Sequence, residues 1–191
     1  MGNHYYFVAS LPLLSYEGRA TFEPAQFLTD AARHLTPAEL DAVAHAGISA
    51  PASVSTGSRS GDAFARFERG LRNALVRLRA AGLAQDPDQA IRVDQAGNDE
   101  TDALGISELA RQAYVEESAL AAEDILNRAR WAFLDGLEPG HFFDTDLLVI
   151  YYLRLQILAR RALFHRDTGE AKYNETIRKI TNDYYQEHDQ S

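Results

Sequence analysis

The chain has 191 residues, 46% hydrophobic and 25% charged, which suits one globular domain able to bury its own core. It contains no cysteine, which excludes disulfides, thiolate metal ligands and a cysteine nucleophile, and is compatible with a reducing cytoplasm. Its formal net charge of −9 argues against a general nucleic-acid binder.

The first element is "YYFVASLPLL" (5–14), ten apolar or near-apolar residues. The preceding "MGNH" lacks the basic region of a signal peptide, and "MGNHYY" lacks the Ser or Thr expected for myristoylation. The run is too short to span a bilayer and Pro12 interrupts it. It is therefore read as a core element or an interface. Tyr5 to Val8 favour a strand. A short helix to about Ser10, stopped before Pro12, is the other form, and the helical character of the rest favours it.

Glu23-Pro24 opens a helix over "PAQFLTDAARHL", with Phe27, Ala31 and Leu35 four residues apart. "TPAELDAVAHAG" carries the clearest start signal. Thr36 caps, Pro37 takes the first helical position, Glu39 completes a capping box and Gly47 is the stop. The two short helices form a predicted hairpin. Residues 49–61, rich in Ser and Gly, read as a mobile loop and the first site of proteolysis.

Phe64, Phe67, Leu71, Leu75 and Leu78 mark one face of a long helix closed by Gly82. Arg66, Arg69, Arg72, Arg77 and Arg79 fill its other faces, giving five arginines against one glutamate from 64 to 80. An acidic connection follows over 84–104. Residues 86–124 hold eleven acidic residues against two arginines, a net −9 that equals the charge of the whole chain. Solvated helix faces account for this distribution, and two charged partner surfaces are the sharper reading.

A second long helix is expected from about 107 to 134, with Leu109, Ala113, Leu120, Ile125, Ala129 and Phe133 as a buried stripe and Trp131 beside it. "DGLEPGHFFD" ends it. Asp144 caps a third long helix, in which Leu147 to Leu153 are apolar without a break. Leu148, Tyr152, Leu155 and Leu158 are predicted core residues. Arg154, Arg160 and Arg161 exclude a transmembrane span. A last helix over about 170–185 and a fraying tail complete the chain. The predicted architecture is all-α: one irregular antiparallel helical bundle over 1–191, with no domain boundary.

Motifs for chemistry are missing. There is no HExxH, GxxxxGK[ST], GxGxxG or GxSxG, and no pair of Glu-x-x-His segments for a di-iron site. Glu116, Glu117, Glu123 and Asp124 read as a solvated acidic face, and His141, Asp144 and Asp146 as turn and cap. No catalytic, cofactor-binding or metal-ligating residue is assigned, and no cofactor is expected.

"YYFVASLPLL", "FLTDAARHLTPAEL" and "NRARWAFLDGLEPGHFFDTDLLVIYYLRLQILARRALFHRDTGEAKYNETI" resemble a small uncharacterised family of bacterial proteins encoded in V-type ATPase operons. The resemblance covers most of the chain apart from 49–61 and the acidic connection. "DTDLLVIYYLRLQILARRALF" is also distantly similar to segments of the C-type (or d-type) coupling protein of V/A-type ATPases, a helical funnel between the central stalk and the membrane ring. This chain is much shorter, which sets a full threefold funnel aside.

The resemblance implies a non-catalytic subunit, or an assembly or accessory factor, of a proton- or sodium-translocating ATPase. It would bind stalk or membrane-ring subunits from the cytoplasmic side, peripheral to the inner membrane and without inserting into it. Tyr5 and Tyr6 are the partner-contact candidates, because tyrosine offers large area with a polar tip. Arg66, Arg69 and Arg72 are candidates for a charged border opposite an acidic partner. A generic helical adaptor or regulator and a helical enzyme of unknown reaction are the competing readings.

Overall fold

The computed structural model describes residues 4–19, 22–48, 55–83 and 105–163. Among these there are seven helices and no strand: α1 (His4–Ser10), α2 (Pro24–Ala31), α3 (Pro37–His45), α4 (Arg59–Leu83), α5 (Ile106–Val115), α6 (Ala119–Leu137) and α7 (Thr145–Leu163). The fold is the all-α bundle expected from the helical periodicities. Residues Met1–Ala159 form one compact unit, and α7 continues into a second, Arg160–Ser191. The expected helix over 170–185 and the acidic connection lie outside the described residues.

Helix α7 is the centre of the larger unit. Leu148, Val149, Ile150, Leu153, Leu155 and Ile157 are fully buried, and Tyr152 and Leu158 nearly so. A helix apolar on all sides must be surrounded, because no face of it gains by meeting water. The surrounding side chains come from α1 (Phe7), α2 (Phe27, Ala31), α3 (Val43), the start of α4 (Phe64) and the end of α6 (Trp131, Leu134). Asp144 caps α7 as expected, its Oδ1 accepting from the Leu147 N–H at 2.9 Å.

The capping box of α3 also forms. The Thr36 Oγ1 accepts from the Glu39 N–H, and the Glu39 carboxylate accepts from the Thr36 N–H at 2.8 Å. Helix α3 ends just before Gly47, as Ala46 turns extended. Gln156 of α7 fixes this end, donating to the Ala46 carbonyl at 2.9 Å and accepting from the Ile48 N–H at 3.3 Å.

A second core lies between α4, α5 and α6, formed by Phe67, Leu71, Ala74, Ile106, Ala110, Ala113 and Leu126. The alanines let the helix backbones approach closely. Phe133 joins the two cores: its ring stacks on Phe67 at 4.3 Å and meets Phe64 at 6.4 Å.

Four sequence expectations need correction. The single helix over 107–134 is two helices, broken at Glu116–Ser118, where Glu116 is extended and the Ser118 Oγ accepts from the Ala121 N–H. The break lets α5 pack closely on both α4 and α6, whereas a straight helix over that range would be a single rod about 42 Å long that could not fold back on itself. Leu120 consequently sits in the first turn of α6, half exposed, and outside any buried stripe. Helix α4 runs one residue past the expected stop at Gly82, to Leu83, and Gly82 leaves room for the Tyr114 hydroxyl.

The fourth correction concerns the loop over 49–61. Residues 49–54 lie outside the described set, but 55–61 are tightly held and helix begins at Arg59. Thr56, Ser58 and Ser60 are buried. The Thr56 N–H and hydroxyl both donate to Asp62, at 2.7 and 2.9 Å. The Ser58 hydroxyl and the Ser60 N–H donate to Asp146 of α7, at 2.6 and 2.8 Å. Gly61 is needed here, since a Cβ would collide with the Thr56 side chain. Asp146 thus caps the first turn of α4 from another helix. Polar composition suggested mobility because Asp146, the partner of Ser58 and Ser60, is remote in sequence.

Truncating Leu148 or Leu155 to Ala should cost about 2–5 kcal/mol, whereas Leu120→Ala should stay within about 0.5 kcal/mol, both read from urea unfolding. Equal effects at all three positions would mean that α7 is not the core. Acid should also loosen the start of α4. Burial pushes the Asp146 carboxyl up, but hydrogen bonds from Ser58 and Ser60, with the nearby His141, outweigh it and hold it below its ordinary 3.8. A depressed carboxyl contributes fully above that ordinary value, and the contribution disappears as pH falls through the folded one. Asp146→Asn should therefore lower stability at neutral pH and remove part of the acid dependence, measured by urea unfolding between about pH 5 and pH 2.

Candidate interaction surface

The opening apolar run divides between core and surface. Phe7 is buried against Phe27, ring centroids 5.6 Å apart, and stacks on His34 at 5.0 Å. Val8, Leu11 and Leu14 pack partly on the same core. Tyr5 and Tyr6 precede Phe7 on a helix of seven residues, so the step of roughly 100° per residue turns them away from it. They are 56% and 74% exposed.

The tyrosines do not stand alone. Tyr5 meets Tyr6 edge to face at 5.6 Å and Phe143 at 4.8 Å. Phe143 belongs to the turn between α6 and α7, and both it (48%) and Phe142 (69%) are exposed. Tyr5, Tyr6 and Phe143 thus form a continuous aromatic surface, with Phe142 beside them in sequence and equally unburied. Ring pairs at such separations are individually favourable, but they do not account for leaving four large aromatic residues so open to water.

Each of the two segments that supply these rings also carries a histidine engaged with a carboxylate. His4 Nε2 lies 3.1 Å from Glu39 Oε1, joining α1 to α3. His141 Nδ1 lies 2.7 Å from Asp144 Oδ2. Partial burial pushes the Glu39 carboxyl up, but hydrogen bonds from Thr36, followed by the influence of His4, hold it below the usual carboxylate range. Glu39 is therefore charged at neutral pH. The outcome is an apolar aromatic centre with a polar border, the general anatomy of a protein interface.

Phe142 and Phe143 were missed in the sequence because "DGLEPGHFFD" reads first as a helix breaker. The available signal was the Phe pair itself: two large apolar residues in a short turn, directly before a capping Asp.

The three candidate arginines lie on α4, on a different element from the tyrosines. Arg66 is exposed and close enough to Asp62 to help hold that carboxyl below its ordinary value. Arg69 is half-buried and engaged within the structure. Arg72 is half-buried as well, donating to the Ile48 carbonyl and lying 3.8 Å from Glu68. They do not form one free cationic face, and Arg66 alone has the open position expected of all three.

One polar cluster was not foreseen. Glu68 of α4 and Arg130 of α6 are 4% and 6% exposed. The Arg130 Nε donates to Glu68 Oε1 at 2.5 Å, and its Nη1 to Asn127 Oδ1 at 2.9 Å and Glu123 Oε1 at 3.2 Å. All three nitrogens of the guanidinium are engaged, since Nη2 also reaches Glu68 Oε2. This is the chemistry of a closed structural ion pair rather than of a site open to substrate. Among the described residues no group of three or more His, Asp or Glu is placed to hold a metal ion.

Arg130→Met should cost about 3–5 kcal/mol, because Glu68 would stay buried without its hydrogen-bonded partner, with only the more distant Arg72 nearby. The joint Glu68→Leu, Arg130→Met variant should recover most of that loss in urea unfolding. If it is no more stable than the single variant, the pair is not what makes Arg130 necessary. No protein-family model, no curated protein and no solved structure matches this chain significantly.

Proposed function

We propose that this protein is a non-catalytic subunit or assembly factor of a V/A-type rotary ATPase, and that it docks through the surface of Tyr5, Tyr6, Phe142 and Phe143. The observation that carries the binding role is the exposed cluster of Tyr5, Tyr6 and Phe143, with exposed Phe142 next to Phe143 in the chain and paired charge nearby. Tyrosine and phenylalanine at the centre of a patch supply most of the energy of an interface, while surrounding charge sets rate and specificity. The choice of an ATPase as partner rests on the resemblance of the N-terminal run and the α6–α7 region to a family encoded in V-type ATPase operons.

Among the described residues no helix is long and apolar enough to cross a membrane; the contact would be with stalk subunits or with the exposed rim of the ring. The protein would act from the cytoplasmic side, as a shortened counterpart of the C-type (d-type) coupler or as an accessory of assembly. Arg66 would lie at the charged border of a larger footprint.

The test is co-purification with the ATPase from native membranes, together with proton or sodium pumping in a deletion strain. Capture of the ATPase and impaired pumping are expected. Changing Tyr5 and Tyr6 together to Ala should weaken capture at every salt concentration. Arg66→Glu should weaken it chiefly at low salt, where screening is least. If the protein never co-purifies with the ATPase and pumping is normal without it, the ATPase reading fails, and reproducible capture of another complex would make it an adaptor there.

A further inference from the structure

The aromatic surface is composite: Tyr5 and Tyr6 come from α1, and Phe143 comes from the turn before α7. Its existence depends on how α1 is attached. Helix α1 has seven residues, of which only Phe7 is buried. A helix of this length has no stability of its own in water.

Besides the partial packing of Val8 and Leu11 on the core and the Tyr5–Phe143 contact, three attachments hold the segment. At its start, His4 meets Glu39 of α3. In its middle, Phe7 lies between Phe27 and His34. Just beyond its end, the Tyr151 hydroxyl of α7 donates to the Pro12 carbonyl at 2.9 Å. Burial pushes that hydroxyl up to about 12, so it remains a donor throughout the neutral range. The core beneath does not depend on the segment. Phe27 also stacks on Phe22, Tyr151 and Tyr152, and the fully buried residues of α7 pack against side chains from several helices.

We propose that residues 4–12 are a strap, clasped by Glu39 at one end and Tyr151 at the other, which lifts and recloses as one local unit while α7 stays folded. Segments with few buried apolar contacts open well below the free energy of global unfolding. Lifting separates Tyr5 and Tyr6 from Phe143, so the aromatic surface is present only in the closed form. It also uncovers the side of Phe27 that Phe7 occupies. A partner binding the composite surface would close the strap, and its apparent affinity would scale with the closed fraction. That last consequence rests on the binding role proposed above, whereas the strap itself does not.

Hydrogen exchange of the isolated full chain tests the strap without any partner. The amides of Val8, Ala9, Ser10 and Leu11 should exchange at least about 100-fold faster than those of Ile150 to Leu155. Tyr151→Phe removes one clasp and keeps the ring. Glu39→Gln removes the charge facing His4 and keeps a side chain able to complete the capping box. Each variant should speed exchange at residues 8–11 by about three- to tenfold and leave Leu153 and Leu155 unchanged. Exchange at 8–11 matching that of α7 would overturn the proposal, as would variants that accelerate both segments equally.

Discussion

Leu147 to Leu153 present apolar surface in every direction around one helix, and that constraint organises the larger unit. No single neighbour can cover such a helix. Contributions from α2, α3, α4 and α6 surround it, and Phe7 of α1 adds to them from the outside. Polar residues can enter α7 only where the surrounding helices supply partners. Gln156 fills such a place by joining the carbonyl of Ala46 and the N–H of Ile48 at the end of α3. Arg154 fills another. Its Nη2 reaches Asp135 and Glu138 near the C-terminus of α6, and its guanidinium lies over the Trp131 ring at 5.3 Å. A cation at a helix C-terminus is favoured by the carbonyl dipoles there, and the indole face adds to the attraction.

The α4–α6 contact works differently. Here the cores on either side are joined by aromatic stacking at Phe133 and by a buried ion pair in the adjoining part of each helix. The ion pair contributes little net stability, because both charges are desolvated, but it penalises misalignment strongly. A slide of α4 along α6 by one turn would part Glu68 from Arg130 and leave each buried charge only the neighbours on its own helix, Arg72 for Glu68 and Asn127 with Glu123 for Arg130. The hydrophobic contacts between the helices are less selective, since leucine and alanine tolerate small shifts. The register is therefore set by the polar pair, and the bulk of the attraction by the apolar residues around it.

The surface of α1 follows from geometry and composition together. A short helix has room to bury one narrow face, and Phe7 takes it. Any further aromatic residue in the same turn must point outward. Tyr5 and Tyr6 do so, and they meet a neighbouring turn that also carries aromatics facing water. The same shortness that exposes the tyrosines limits how firmly they are held.

Helical class, the boundaries set by Thr36, Pro37, Glu39 and Asp144, and the burial of Leu148, Tyr152, Leu155 and Leu158 were legible in the sequence. Caps act over three or four residues and apolar periodicity over a few turns, so both are local. The choice of Tyr5 and Tyr6 as contact candidates was also readable, but their junction with Phe143 was not, because 138 residues separate Tyr5 from Phe143. The break at Glu116–Ser118 was hidden because apolar residues continue on both sides of it, and only the need of α5 to meet α4 and α6 at once reveals it. Ser58 and Ser60 read as a loose loop until Asp146, 88 residues from Ser58, supplies their acceptor. Glu68 read as part of a solvated helix face for the same reason, and Arg72 as a free charge. The sequence by itself determined which segments coil and which side chains avoid water, since those depend on neighbours along the chain. Only the tertiary structure decided which charges are buried, which polar segments are held and which aromatics meet at the surface, since each depends on a partner that folding brings from elsewhere.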